Sequence, residues 1–225
     1  MFRYIFTSCT VVISLLLGSM SFAQSSIQDR LSVSNPRGAG PWPVVILMHW
    51  TSGVGAAERR WTGLLNRAGF SVVVLESFAR IDGDFAYFET RVPERVAQLK
   101  EAYAAVVNQS WSNGEVSVFG RSHGAWAVID ALKAGALGSR LEHAVASAPR
   151  CDGPRSAQAT FRSQTPLLVI VGSSDQLTSA EACRAFVAAA KSTGAPIDVE
   201  TYWAGHSVDL DNATARRAII AFLSQ

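Results

Sequence analysis

Short runs of continuous apolar residues alternate along this chain with longer stretches whose apolar residues repeat at helical spacing. Continuous apolar runs predict strands of a parallel sheet that is buried on both faces, and the amphipathic stretches predict the helices that cover it. The predicted strands are Pro43–Met48, Ser71–Leu75, Glu115–Phe119, Glu142–Ala146, Pro166–Val171 and Ile197–Trp203, with room for one leading strand around Arg30 to Ser34. The predicted helices are Ala56–Ala68, Pro93–Val107, His123–Leu137, Ala180–Lys191 and Ala213–Leu223. This order predicts an α/β fold with a mostly parallel central sheet, helices on both faces and no large lid.

The N-terminal segment differs from the rest of the chain. Arg3 is followed by the mostly apolar run Ile5–Leu17, and Ser21–Ala23 places small residues at the two positions that a signal peptidase reads. A membrane anchor is the alternative, but the apolar run is short for a bilayer and contains Ser, Thr and Gly. We therefore expect residues 1–23 to be a signal peptide. Residues 24–225 are expected to form one domain, without a membrane anchor after cleavage, in the periplasm or outside the cell.

The cysteines are interpreted in the light of this export. Removal of Cys9 with the signal peptide leaves Cys151 and Cys183 in an oxidising compartment, where disulfides form. A bond between them would close a loop of about 30 residues and contribute roughly 3.5 kcal/mol to stability. The sequence favours this disulfide over the alternative of two buried free thiols.

Composition and charge narrow the classes of function. Of the 225 residues, 48% are hydrophobic and 17% are charged, which allows a sizeable folded core. The formal net charge is only +2, and the sequence has no basic stripe with interleaved aromatic residues. Nucleic-acid binding is therefore not favoured.

One segment in the middle of the chain carries the most specific chemical motif. A predicted strand runs into Gly120–Gly124, a Gly-x-Ser-x-Gly pattern, and a predicted helix follows at once. Glycines at both ends of the pattern permit the sharp turn that lifts a serine hydroxyl clear of the sheet. In this strand–turn–helix context the pattern predicts that Ser122 is a nucleophile.

A serine hydroxyl needs a base, and the base needs a carboxylate that orients it. His206 lies in the loop between the last predicted strand and the last helix, and histidine exchanges protons near neutral pH. Asp175 follows the end of a buried strand, and the order Ser122, Asp175, His206 is the order that triads on such sheets use. Four other acidic residues are alternatives that follow strand ends less directly: Asp152, Glu181, Asp209 and Asp211.

Acyl transfer through a serine also requires donors for the oxyanion of the tetrahedral intermediate. One predicted donor is the backbone N–H of His123, which follows the nucleophile. The other is expected from the loop His49–Gly53 after the first buried strand, where Thr51 N–H is favoured and Trp50 N–H is the alternative.

Together these segments resemble the dienelactone hydrolase-like branch of the α/β-hydrolases. The resemblance implies the α/β-hydrolase fold, hydrolysis of small carboxylic esters or lactones through an acyl-enzyme on Ser122, and no metal or organic cofactor. A thioesterase or peptidase of the same fold, or a non-catalytic binding protein, is the alternative. The similarity covers almost all of the predicted mature chain and rests on Pro43–Gly53, Glu76–Phe78, Val92–Val96, Gly120–Gly124, Val171–Asp175 and Gly205-His206.

Two features of the chain depart from this family. His49-Trp50 stands where many members have His-Gly, and Ser122 stands where the best-known dienelactone hydrolases have cysteine. Trp50 is therefore a candidate for shaping the oxyanion loop, for narrowing the pocket, or for stacking on a substrate.

Several arginines follow the ends of predicted strands. A guanidinium at such a position can hold a substrate carboxylate with two hydrogen bonds, and the alternative of a solvated basic surface is favoured for the group as a whole. Arg121, next to the nucleophile, and Arg80 are the candidates for substrate binding. The complete set is Arg80, Arg121, Arg150 and Arg155.

Overall fold

The structure is a computed structural model that describes residues 26–137, 141–153, 161 and 163–225. The predicted signal peptide, residues 1–23, lies outside the described residues, as does Arg155. None of the described helices combines the length and the apolar character that a membrane span requires.

The described residues form one seven-stranded sheet. Its strands are β1 (Leu31–Ser34), β2 (Trp42–Met48), β3 (Ser71–Leu75), β4 (Ser112–Arg121), β5 (Leu141–Ser147), β6 (Leu167–Gly172) and β7 (Ile197–Tyr202). Their order across the sheet is β1-β3-β2-β4-β5-β6-β7. β1 pairs with β3 in antiparallel orientation, and all other neighbours are parallel. The mostly parallel sheet predicted from the apolar runs is therefore confirmed.

Helices cover both faces of the sheet. They are α1 (Ala56–Arg67), α2 (Phe85–Val106), α3 (His123–Lys133), α4 (Ala180–Ser192), α5 (Val208–Asp211) and α6 (Ala213–Leu223). Successive side chains of a strand point to opposite faces, so Ile46 packs with α2, α3 and α4, whereas its neighbour Leu47 packs with α1 and α6. Both side chains are fully buried, as expected for a strand covered on both sides.

Helix α2 begins earlier than the sequence predicts. The sequence predicts Pro93 near the first turn, but the helix starts eight residues before it, at Phe85, and continues through the proline. The true start is capped by Asp84, whose carboxylate accepts a hydrogen bond from Tyr87 N–H at 2.9 Å. Proline removes one intrahelical hydrogen bond without ending this helix, so its position did not mark the N-terminus.

The predicted disulfide is present in the structure. Cys151 lies just after β5 and Cys183 lies in α4, and their sulfur atoms are 2.01 Å apart. The bond joins two segments that are 32 residues apart in sequence. Both segments follow strands whose carboxyl ends border the site described next.

Candidate active site

Ser122 occupies a strained turn between β4 and α3. Its backbone has φ 49° and ψ −114°, a conformation that costs a non-glycine residue about 1–3 kcal/mol. The turn is held because Ser122 N–H donates to Ser147 O at 2.8 Å. A Cβ added to Gly120 would lie 2.4 Å from Gly124 O, and one added to Gly124 would lie 2.6 Å from Met48 O. Both glycines of the motif are thus required by the close approach of neighbouring backbone.

Three loops bring the predicted triad together. His206, in the loop between β7 and α5, places Nε2 2.8 Å from Ser122 Oγ. Its Nδ1 lies 2.8 Å from Oδ2 of Asp175, which follows β6. With a proton on Nδ1, the imidazole donates to the carboxylate and presents its free Nε2 to the serine hydroxyl. This is the geometry that general-base activation of a serine needs.

The carboxylate of Asp175 is buried and strongly hydrogen-bonded. Its side chain is 1% exposed. Leu177 N–H donates to it at 2.8 Å, and the hydroxyl of Thr178 donates at 2.6 Å. Burial alone would raise the pKa of this carboxyl group, but hydrogen bonds from His206, Thr178 and Leu177 outweigh that effect and lower the pKa to about 2. The group is therefore ionised at neutral pH and able to stabilise an imidazolium. Asp209, one of the alternative acids predicted from the sequence, forms an ion pair with Arg121 instead of with His206.

The loop after β2 is held in place by the buried side chain of His49. Its Nε2 accepts a hydrogen bond from Ser77 N–H at 3.1 Å, so the proton resides on Nδ1, which donates to Trp50 O at 2.5 Å. Burial, reinforced by the charge of Arg95, lowers the pKa of His49 to about 3 and keeps it neutral. Because C=O and N–H point in opposite directions in a trans peptide, the N–H of Thr51 points away from this imidazole.

A second buried histidine opens helix α3. Nε2 of His123 lies 2.8 Å from Phe88 O and donates to it, which leaves Nδ1 to accept from Arg95 Nη1 at 3.1 Å. Burial and the charge of Arg95 lower the pKa of His123 to about 4. Sequence reasoning did not single out Arg95. Its only signal in the sequence is its place in Val92–Val96, one of the segments that resemble the dienelactone hydrolase-like family.

A pocket of about 450 Å³ opens beside Ser122 and His206. Volumes of this order suit small ligands. Trp50, Thr51 and His123 line it, as does Arg150. Most of the remaining wall is apolar and comes from the start of α2, from α3 and from the loop after β6, namely Phe85, Phe88, Trp126 and Leu177. The site therefore offers a nucleophile and a base at the edge of a largely aromatic cavity.

The prediction that Arg121 binds substrate is wrong. Its side chain is 3% exposed and forms ion pairs with Glu58 at 3.0 Å and with Asp209 at 2.5 Å. Although burial alone would lower the pKa of Arg121, these two carboxylates raise it. The guanidinium stacks on the ring of Trp50, 5.2 Å from its centroid, so it supports the pocket wall from behind. In strand β4 alternate side chains face opposite sides, and that of Arg121 faces the interior below α1.

The other arginine candidates lie in different surroundings. The side chain of Arg80 is 68% exposed and pairs with Asp82 at the surface. Among the described residues, it is not one of those that line the pocket. It fits the alternative of a solvated basic surface. Arg150 lines the pocket, stacks on Phe85 with 4.7 Å to the ring centroid, and pairs with Asp152 at 3.1 Å.

Several solved structures share the fold of this chain. A putative dienelactone hydrolase from Klebsiella pneumoniae superposes with a TM-score of 0.73 at 17% identity, over 87% of this chain and 92% of that one. An alpha-beta serine hydrolase homologue from Coxiella burnetii gives 0.63 at 18% identity, over 86% and 88% of the two chains. A Pyrococcus furiosus esterase gives 0.65 at 17% identity, over 81% and 82%. At these identities the likeness concerns the fold, and it confirms the predicted α/β-hydrolase fold.

Comparison of sequences gives a more specific result. No curated protein matches the chain significantly. The profile of the dienelactone hydrolase family matches residues 31–218, which runs from β1 into α6 and includes every residue of the site described above. The chain is a hydrolase of this fold and belongs to the dienelactone hydrolase family.

Proposed function

We propose that this protein is an exported serine hydrolase that cleaves small carboxylic esters or lactones through an acyl-enzyme on Ser122. The observation that carries the proposal is the continuous hydrogen-bonded chain from Ser122 through His206 to Asp175, with 2.8 Å at both contacts. A chain of this kind raises the nucleophilicity of a hydroxyl that is otherwise weak. Membership of a hydrolase family supports it independently.

The proposed reaction has two halves. Ser122 Oγ attacks the substrate carbonyl carbon while His206 Nε2 takes the hydroxyl proton, and Asp175 stabilises the imidazolium. His206 then gives the proton to the leaving oxygen, which departs as an alcohol and leaves the acyl group on the serine. In the second half, water gives a proton to His206 and attacks the acyl carbon. His206 then returns the proton to Ser122 Oγ as the bond between this oxygen and the acyl carbon breaks, which releases the acid and restores the free serine. For a lactone, the leaving oxygen stays attached to the acyl group.

We infer that the oxyanion is bound by the backbone N–H groups of His123 and Thr51. His123 directly follows the nucleophile and opens an eleven-residue helix, whose N-terminal dipole favours negative charge. For the second donor, the hydrogen bond from His49 to Trp50 O supports Thr51 over Trp50, because it turns the Thr51 N–H away from the buried imidazole. Both residues line the same pocket as Ser122.

The shape of the pocket limits the substrate. Aromatic walls from Phe88 and Trp126 suit an apolar group of the ester, and a volume of about 450 Å³ accommodates a small substrate rather than a long-chain lipid. Trp50, the residue that replaces the glycine of many relatives, closes one side of this space. We therefore expect short-chain and aromatic esters to be better substrates than long-chain ones.

We also propose that the protein is exported after removal of residues 1–23. The disulfide between Cys151 and Cys183 supports an oxidising compartment, because such bonds are rare in the cytosol. Intact-mass measurement of the protein recovered from its native host tests this. A mass that begins at Gln24 is expected, and a mass that includes Met1 would contradict it.

The deciding experiment is hydrolysis of p-nitrophenyl acetate and butyrate by the purified protein and by Ser122→Ala. We expect kcat of the variant to be lower than that of the wild type by a factor of about 10⁴–10⁶, and its fold to be retained. Ser192→Ala, which removes an exposed hydroxyl from α4, is the matched control and should behave as wild type. A fluorophosphonate should label the wild type and the control but not Ser122→Ala. An active Ser122→Ala, or an inert wild type, would refute the proposal.

A further inference from the structure

Arg95 lies directly behind the two chain segments that supply the proposed oxyanion donors. Arg95 lies in the middle of α2, and only 1% of its surface is exposed to solvent. Nη2 donates to His49 O at 2.7 Å, and Nη1 donates to His123 Nδ1 at 3.1 Å. One guanidinium thus bridges the loop after β2 and the first residue of α3.

The burial of this cation is not explained by ion pairing. Within the described part of the chain, Arg95 forms no ion pair, and the carboxylates of Glu58 and Glu94 act on it only at longer range. Its remaining close partner is the ring of Phe78, whose centroid is 4.9 Å from the guanidinium carbon. Burying a charge without a carboxylate partner is costly, and here burial lowers the pKa of Arg95 to about 9.

The bridged groups are parts of the proposed oxyanion hole. The carbonyl of His49 belongs to the peptide just before the one that carries Thr51 N–H, and the imidazole of His123 belongs to the residue whose own N–H is the other donor. The imidazole is also held on its far side by Phe88 O at 2.8 Å. Its orientation therefore depends on a hydrogen bond at each ring nitrogen, and Arg95 supplies the donor for one of them.

We propose that Arg95 is a positioning residue that holds the two halves of the oxyanion hole at a fixed separation. The proposal rests on the proposed serine hydrolase function and adds a residue that touches no reacting atom. Without the bridge, the loop after β2 and the N-terminus of α3 lose their link through the guanidinium and keep only the backbone packing at Gly124. Because the oxyanion forms only after attack, such movement weakens transition-state binding more than substrate binding.

The effect on catalysis follows from this role. Loss of one oxyanion donor lowers kcat by about 10²–10³, and misplacement by about 1 Å costs about 10². We expect Arg95→Met, which keeps the length of the side chain but no donor, to lower kcat by about 10² and to change KM less than about threefold. Arg95→Lys keeps the charge and at most one of the two contacts, so it should recover part of the loss.

The test compares these variants with Lys100→Met, which removes an exposed cation from the same helix. Steady-state kinetics on p-nitrophenyl butyrate are combined with the inhibition constant of a trifluoromethyl ketone, which forms an oxyanion on the serine. The ketone should bind Arg95→Met more weakly by the same factor as kcat falls, and Lys100→Met should match wild type. A loss that appears in KM instead, or wild-type kinetics in Arg95→Met, would overturn the proposal. If Arg95→Met does not fold, Arg95→Lys decides by the same criteria.

Amide hydrogen exchange separates this proposal from the function on which it rests. Peptides that cover residues 49–53 and 122–126 should exchange faster in Arg95→Met than in wild type or Lys100→Met, because the bridge is gone. Unchanged exchange in both peptides would overturn the positioning role. The measurement needs no turnover, so it gives this answer even if the wild type neither hydrolyses esters nor reacts with a fluorophosphonate, the outcome that refutes the proposed function.

Discussion

Gly172, at the end of β6, is the point where an added methyl group should disturb the site most specifically. A Cβ at this position would lie 2.3 Å from Gly205 O and 2.4 Å from Ala204 O, in the loop that carries His206. Gly172 O also accepts a hydrogen bond from Asp175 N–H at 3.2 Å. Gly172→Ala therefore displaces the loop that carries the base, His206. It also strains the loop that carries the acid, Asp175.

The size of the effect can be worked from these distances. Contacts between carbon and oxygen need roughly 3.4 Å, so the loop with Gly205 has to move by about 1 Å. His206 directly follows, and its hydrogen bonds to Ser122 and Asp175, both 2.8 Å, are stretched by a similar amount. A displacement of about 1 Å costs about 10² in rate, which is about 2.7 kcal/mol of activation free energy. The overpacking itself should lower the free energy of unfolding by about 1–3 kcal/mol.

The assay is kcat/KM on p-nitrophenyl butyrate together with the rate of fluorophosphonate labelling, both measured where urea denaturation shows the variant to be folded. Gly205→Ala is the matched control in the same loop, because a Cβ there meets no atom within 4 Å. We expect it to retain at least about a third of the wild-type kcat/KM, since nothing has to move. A folded Gly172→Ala with the activity of this control would refute the reasoning.

Three further predictions concern stability. Arg121→Met leaves the carboxylates of Glu58 and Asp209 buried without their cation, and urea denaturation should show a loss of about 3–5 kcal/mol; a raised KM with unchanged stability would instead restore its predicted role in substrate binding. Replacing both Cys151 and Cys183 by serine should lower the free energy of unfolding by about 3.5 kcal/mol, and equal stability of the wild type in urea with and without reductant would contradict this. His49 and His123 have pKa values lowered to about 3 and about 4 in the fold, so between those values and 6.5 the unfolded state binds more protons. Stability should therefore fall as the pH is lowered from 6.5 to 4, by up to about 1.4 kcal/mol per pH unit for each histidine, and a flat profile in urea titrations would contradict it.

Much of the fold and the candidate triad was predictable because the signals are local. A strand buried on both faces, such as Ser71–Leu75, is a continuous apolar run whatever surrounds it. The turn at Ser122 can be recognised from the glycines two residues away on either side, because the close backbone contacts leave no room for a side chain there. Asp175 and His206 could be placed because parallel strands end at the same edge of a sheet, so the residues that follow them become neighbours.

Contacts between distant segments decided the rest. Arg121 and Asp209 are 88 residues apart, and nothing near Arg121 in the sequence distinguishes a buried ion pair from a solvent-exposed arginine beside the nucleophile. Arg95 lies on a helix whose true start, at Phe85, was hidden by a proline that the helix tolerates. The local pattern of apolar residues thus determined which segments are strands and helices and which loops carry the chemistry. Only the tertiary structure decided which charged side chains are buried behind the site, because that depends on which distant groups meet there.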